Sequence, residues 1–219
     1  MTGLMLDKLT IRQADQMLVN LTAAVPPGAV LTIMGASGSG KSTLLSALIG
    51  TLAPAFQSSG KITLNGRDIT HLPTLRRRIG ILFQDDLLFP HLSVAGNLGF
   101  GLPAQHRHGQ DRADRTALIK AGLAAMDLAG FGPRDPATLS GGQRARVALL
   151  RSLLAEPHAL LLDEPFSRLD AGLRSQIRTL VFDRARAQGL PVILVTHDPA
   201  DAHAAGGAVL SPLGERLLS

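Results

Sequence analysis

The chain contains no cysteine, so disulfides and thiolate metal sites are excluded and neither fold nor chemistry rests on sulfur. It also has no tryptophan and no tyrosine, which removes the usual platforms on which proteins stack single-stranded bases. A net charge of +5 does not by itself choose among nucleic acid, anionic lipid and a nucleotide polyphosphate. Arg76, Arg77 and Arg78 form the one tight basic run, and no direct nucleic-acid partner is expected. Residues 16–40 carry no charged side chain, but Pro26, Pro27, Gly28 and later glycines interrupt the stretch, and it does not read as a membrane-spanning helix. The amino terminus lacks a basic segment followed by an apolar run and a small-residue cleavage site, which leads to the expectation of a cytoplasmic protein.

What is present is an alternation of short apolar runs with helix-period segments over 219 residues, the pattern of an α/β fold with a mostly parallel sheet flanked by helices. Buried strands are predicted over 30–34, 79–83, 159–162 and 192–195. Helices are predicted over 42–49, stopped by Gly50, over 143–155, stopped by Pro157, and over 171–187. In the last of these Leu173, Ile177, Leu180 and Val181 share one apolar stripe. The first thirty residues and 61–69 alternate like strands of a small antiparallel sheet, with Asn65-Gly66 as a turn. Residues 86–138 shift toward Gly, Pro, His and Ala, with a helix predicted over 111–128. They are read as a mainly helical lobe inserted in a single domain spanning 1–219.

The chemistry starts at Gly35, Ala36, Ser37, Gly38, Ser39, Gly40, Lys41, Ser42 and Thr43. This Gly-x-x-x-x-Gly-Lys-Ser spacing follows a predicted strand and opens a predicted helix, the context that a phosphate-binding loop requires. Glycines let consecutive N–H groups turn toward one anion, and the helix N-terminus adds partial positive charge. Lys41 is expected on the outer phosphates of a nucleoside triphosphate, and Ser42 on Mg²⁺. Such a loop needs an acidic counterpart. Residues 160–164 supply one, an apolar strand ending in Asp163 and Glu164: Asp163 to hold Mg²⁺, Glu164 to polarise the attacking water as general base.

A third element, Leu139, Ser140, Gly141, Gly142 and Gln143, starts the helix that carries Arg144, Arg146 and Arg151. Alone it reads as a Ser/Gly helix cap, and equally as a second phosphate cradle at a helix N-terminus. With these elements in this order, the chain resembles the nucleotide-binding subunits of ABC transporters, whose LSGGQ motif the pentapeptide matches letter for letter. The resemblance implies a P-loop NTPase-type fold with an N-terminal antiparallel β subdomain, ATP and Mg²⁺ as ligands, and head-to-tail dimers. In such a homodimer, or pair of nucleotide-binding subunits, Ser140 to Gln143 of one copy close on ATP held by residues 35–43 of the other. It also implies roles for three further residues: Gln84 senses Mg²⁺ and the transporter, Asp170 of Ser167-Arg168-Leu169-Asp170 works across the dimer, and His197 contacts the γ-phosphate. Two positions depart from the family pattern. The aromatic residue that often stacks on adenine is missing, with Arg12 near its place and able to stack through its guanidinium. Arg168 stands where a small residue is frequent.

Leu88-Phe89-Pro90-His91-Leu92-Ser93-Val94, followed by Asn97 and Phe100-Gly101-Leu102, resembles the same region of bacterial importers for small ions and metabolites. From this come the expected partners: transmembrane permease subunits contacted through residues 84–94, and a periplasmic or surface substrate-binding protein reached indirectly. Phe89, Leu92 and Val94 are expected in an apolar groove for the permease, or else in the packing of the lobe. The implied location is peripheral, on the inner face of the cell membrane. Two alternatives stay open: an ABC ATPase driving export or lipoprotein release, and a soluble ABC ATPase outside transport.

Overall fold

The computed structural model describes residues 2–103 and 112–218; Asp111, the first residue of the helix expected over 111–128, lies outside them. The chain forms two compact units, one of Met1–Ile81, His158–Glu164 and Arg178–Ser219, the other of Leu82–Pro157 and Pro165–Ile177. The second unit has wider bounds than the 86–138 lobe.

The first unit is an α/β body with two sheets. β1 (Leu4–Gln13), β2 (Gln16–Val25), β4 (Phe56–Leu64) and β5 (Arg67–Asp68) make an antiparallel sheet in the order β2-β1-β4-β5. On β1 the buried residues are Leu4, Leu6, Leu9 and Ile11, an alternation that slips by one residue at Asp7-Lys8. The slip is a β-bulge: the register shifts there against both neighbours. One extra residue returns Leu9 and Ile11 to the buried face, which unbroken pairing would have turned outward. Gly60 of β4 makes the bulge possible, since a Cβ there would lie 2.2 Å from the Lys8 carbonyl oxygen. Asn65 and Gly66, both at positive φ (50° and 81°), form the expected two-residue turn between β4 and β5.

The second sheet of this unit has the order β10-β9-β3-β8-β7-β6. β3 (Val30–Met34), β7 (Ala159–Asp163) and β8 (Val192–Thr196) pair in parallel. They are buried almost end to end, as strands covered on both faces must be. β6 (Ile79–Leu82) ends one residue short of the predicted strand, at an exposed Phe83. The edge strand β10 (Arg216–Leu218), its neighbour β9 (Val209–Leu210) and the helix α7 (Pro199–Ala205) have no counterpart in the sequence reading. Leu31, Ile33, Leu161, Ile193 and Val195 face a core shared with Leu44, Leu45 and Leu48 of α1 (Lys41–Ile49) and with the apolar face of the antiparallel sheet. Full burial of each such side chain contributes about 2 kcal/mol.

Arg77, at the end of the short helix α2 (Thr74–Arg77), is set apart from its neighbours in the basic run of residues 76–78. It is 6% exposed. Its Nη1 donates to the carbonyls of Ala47 (2.7 Å) and Leu48 (2.8 Å), Nε to that of Leu72 (2.7 Å) and Nη2 to that of Thr70 (2.7 Å). Ala47 and Leu48 lie in the last turn of α1, where the Ala47 carbonyl accepts only a long bond from the Gly50 N–H (3.3 Å) and a cation is favoured by the helix dipole.

The second unit is helical: α3 (Val94–Gly101), α4 (Arg112–Ala124), a 3-10 turn at Pro136–Thr138, α5 (Gly141–Leu154) and the start of α6 (Ala171–Ala187). α5 begins two residues before the predicted start because Ser140 caps it. α4 stops at Ala124, short of the predicted 128. Asn97, fully buried, accepts from the Phe89 N–H (2.7 Å) and donates to the carbonyls of Phe89, Leu92 and Ser93 (3.1, 3.2 and 3.1 Å), folding residues 89–93 back onto α3. Val94 is 0% exposed, which decides for it between the docking groove and the packing of the lobe: at the first turn of α3 it packs the unit's interior. Phe89 remains partly accessible and meets Phe100 edge-on at 4.8 Å between ring centres.

Candidate functional site

β3 delivers the chain to residues 35–40 and α1 carries it away, so the glycine-rich loop sits at the C-terminal edge of a buried parallel strand. Gly40 is both left-handed (φ 99°) and crowded, since a Cβ would fall 2.6 Å from the Leu18 carbonyl oxygen. A side chain at this position is ruled out on both counts. As N-cap of α1 it offers no side-chain acceptor, and the first turn holds no acidic residue. The N–H groups of that turn are left for an external anion. The Lys41 ammonium is folded over the loop, donating to the carbonyls of Gly35 and Ala36 at 2.8 Å each, with the residue 8% exposed. Ser39 Oγ is buried without a hydrogen-bond partner. A cradle of uncapped N–H groups, a held cation and an unsatisfied hydroxyl fits a polyphosphate.

Opposite chemistry arrives on the neighbouring strands. Asp163 is paired in register with Val195, and the Glu164 N–H continues the ladder to the Val195 carbonyl at 2.9 Å. His197 follows the end of β8, so in-register parallel strands bring Glu164 and His197 to one sheet edge, where α/β sheets gather their ligands. His197 Nδ1 lies 3.1 Å from Glu164 Oε2. Glu164 holds a left-handed φ of 46°, which costs a non-glycine residue about 1–2 kcal/mol. Strain of this kind persists where surrounding structure fixes a functional side chain. Burial raises the Asp163 pKa above the usual aspartate range, the Glu164 charge raises it further, and Lys41 opposes both.

These groups line one cavity of about 540 Å³: Gly35, Ala36, Ser37, Gly38, Gly40, Lys41, Ser42, Thr43, Asp163, Glu164 and His197. Ser42 and Asp163 are hard oxygen donors, the set that Mg²⁺ takes together with phosphate oxygens and water. Arg12 is not part of this lining. It lies exposed on β1, its Nη2 donating to the Asp15 carbonyl at 3.0 Å.

The remaining sequence-predicted residues belong to the second unit. Gln84 is exposed and lines a separate cavity of about 570 Å³ with Asp85, Asp86, Gly141, Arg144, Arg168 and others. Ser140 and Gln143 are engaged with each other in a capping box, Ser140 Oγ accepting from the Gln143 N–H (3.3 Å) and Gln143 Oε1 from the Ser140 N–H (3.0 Å). Asp170 caps α6 through the Leu173 N–H at 3.0 Å. Arg168, which departs from the family pattern, forms an ion pair with Asp85, the residue after Gln84. Two α5 arginines hold the same segment. Arg144 Nε pairs with Asp86 at 3.3 Å, and Arg151 donates to the carbonyls of Asp86 (3.1 Å) and Leu87 (2.8 Å). Sequence reasoning had placed these arginines on the helix without partners, because no local spacing reports contacts across some sixty residues.

Comparison with known proteins agrees with this geometry. The family described as ABC transporter matches residues 18–167. YnjD of Escherichia coli (strain K12), an uncharacterized ABC transporter ATP-binding protein, is 53% identical over 190 residues, covering 87% of this chain and 86% of the relative. The thiamine import ATP-binding protein ThiQ of Cereibacter sphaeroides is 45% identical over 198 residues, covering 90% of this chain and 82% of the relative. The Fe(3+) ions import ATP-binding protein FbpC of Agrobacterium fabrum is 40% identical over 191 residues; the match covers 87% of this chain but 52% of that relative, about half its length. Among solved structures, a metal-chelate type ABC transporter in an inward-facing conformation superposes with a TM-score of 0.78 at 26% identity, covering 96% of this chain and 80% of that one.

Proposed function

The chain belongs to the ABC transporter family and is an ATP-binding, ATP-hydrolysing subunit, and we propose that its ATP turnover drives import of a small ion or metabolite through a membrane permease. The observation that carries the reading is the single cavity joining the phosphate loop, Asp163, Glu164 and His197. Supporting import are the iron and thiamine import proteins at 40% and 45% identity and the importer-like segment 88–102. No helix among the described residues is long and apolar enough to cross a membrane. The permease then supplies the passage, and this chain docks on its inner face through residues 84–94.

In this reading, ATP phosphates are taken up by the N–H groups of residues 35–43 and by Lys41. Ser42 and Asp163 would hold Mg²⁺, which when bound supplies charge neutralisation at the phosphate oxygens. Glu164 accepts a proton from the attacking water. His197, 3.1 Å from Glu164, orients that carboxylate and faces the γ-phosphate. Arg12 contacts the base. Ser140, Gly141, Gly142 and Gln143 of a second copy cover the nucleotide, the Ser140–Gln143 capping box opening so that both side chains turn to phosphate, while Asp170 acts across the same interface. ATP closes the dimer, closure moves the permease, and hydrolysis reopens it, with any substrate-binding protein acting from the far side of the membrane.

Purification of the tagged chain from solubilised membranes tests the assignment. Recovery with a multi-span permease supports it, and membrane-free association with ribosomes or DNA would overturn it.

A further inference from the structure

Behind His197 lies a buried ionic group that the hydrolytic pair does not use. Asp201 of α7 is 2% exposed. Its Oδ1 accepts from Arg178 Nη1 of α6 at 3.1 Å, and the same nitrogen donates to the Ala200 carbonyl at 3.2 Å. Its Oδ2 accepts from Thr196 Oγ1 at 3.3 Å, and Thr196 Oγ1 in turn accepts from the Asp198 N–H at 3.0 Å. The Thr196 hydroxyl, on a residue 1% exposed, therefore both donates and accepts, and its two bonds fasten the backbone on either side of His197. Asp198 Oδ1 completes the turn by accepting from the Ala200 N–H at 2.8 Å, capping α7.

The His197 side chain is 64% exposed, so its direction is governed largely by the backbone that carries it. A buried ion pair is a poor source of stability, because desolvation offsets much of its attraction. It does fix geometry when each oxygen is engaged, as here. We infer that Arg178, Asp201 and Thr196 form a positioning network that holds the turn 196–198 and so aims His197 at Glu164. None of the three touches the substrate. They act through His197, and the inference rests on the reading of Glu164 and His197 as the hydrolytic pair.

Thr196→Val and Thr196→Ser separate this role from mere packing. Valine keeps the shape and loses the hydroxyl; serine keeps the hydroxyl and loses a methyl. Steady-state ATPase assays on the full chain, with melting curves for each variant, are expected to show Thr196→Val lowering kcat about tenfold, as small misplacements of a catalytic group do. KM for ATP should stay within about twofold, and Thr196→Ser should retain most of the turnover. A wild-type kcat in Thr196→Val, a rise in KM alone, or an equal loss in Thr196→Ser overturns the proposal. If Thr196→Val fails to fold, Arg178→Gln decides: a lowered kcat at unchanged KM supports the network, and unchanged kcat removes it. Loss of turnover in Glu164→Gln establishes the hydrolytic reading separately, so failure of the one is distinguishable from failure of the other.

Discussion

His197 Nδ1 and Glu164 Oε2 stand 3.1 Å apart at the ends of two adjacent parallel strands, and in the proposed function that pairing serves hydrolysis beside the glycine-rich loop. The loop explains retention of ATP. In that proposal a water is deprotonated beside it by a carboxylate held in a strained backbone conformation and steadied by an imidazole. A lone histidine after a strand carries little information; one in hydrogen-bond reach of a carboxylate in the phosphate cavity carries a role.

Asp163, the proposed Mg²⁺ ligand, sits where its charge opposes the fold. Its pKa is raised by burial and then by Glu164. A carboxyl whose folded pKa exceeds the unfolded value of about 3.9 binds protons more readily in the native state. Its ionised form thus weakens the fold above the folded pKa, and stability rises as pH falls through the window between the two values. Asp163→Asn should raise the melting temperature of the nucleotide-free chain at neutral pH by about 2 °C, while abolishing most Mg²⁺-dependent turnover. Calorimetry without nucleotide checks the sign; a lower melting temperature contradicts it.

Gly141 and Gly142 are predicted to behave differently. A Cβ on Gly142 would lie 2.5 Å from Leu173 Cδ2, whereas one on Gly141 would meet nothing nearer than Arg144 Nη2 at 3.9 Å. Gly142→Ala should therefore lower stability by about 1–3 kcal/mol through overpacking. Gly141→Ala should leave the melting curve unchanged yet reduce hydrolysis about tenfold or more if, as proposed, a second copy's nucleotide closes on that open surface. Unchanged hydrolysis in Gly141→Ala returns the segment to the role of a helix cap.

Arg77→Met removes the cation that satisfies the carbonyls at the end of α1. The loss should be about 2–4 kcal/mol, since buried acceptors are left without donors. The exposed Arg76→Ala should change stability by no more than about 0.5 kcal/mol. Urea denaturation of both variants gives the comparison, and equal midpoints would contradict the buried role.

Arg12→Ala should weaken ATP binding about threefold, the scale of an exposed cation–π contact, and leave affinity for inorganic triphosphate unchanged. Titration calorimetry with both ligands separates base from phosphate contacts. Equal ATP affinity before and after the change would leave Arg12 as a solvated residue on β1.

What the sequence disclosed and what it hid divide along physical lines. β3, β7 and β8 were legible because central parallel strands are apolar throughout, and the loop at residues 35–43 because its glycines answer a local steric demand. The turn at Asn65-Gly66 follows from the same kind of local rule. Charge partners were not legible: Arg77 lies inside a run of three arginines yet points inward, and Arg168 finds Asp85 across 83 residues. Val94, left open between a docking groove and the packing of the lobe, is core, where Asn97 folds residues 89–93 back onto α3. The helix cap at Ser140 was legible in the sequence; its reciprocal bond with Gln143 was not, and in the proposed dimer that bond is the one given up for phosphate.

The most direct measurement is ATP turnover and assembly of Glu164→Gln. With Glu164 as the base, this variant binds ATP as before, loses about a hundredfold or more in kcat, and accumulates as an ATP-bound dimer in size-exclusion chromatography. Near-normal hydrolysis, with no dimer trapped by ATP, would contradict the account.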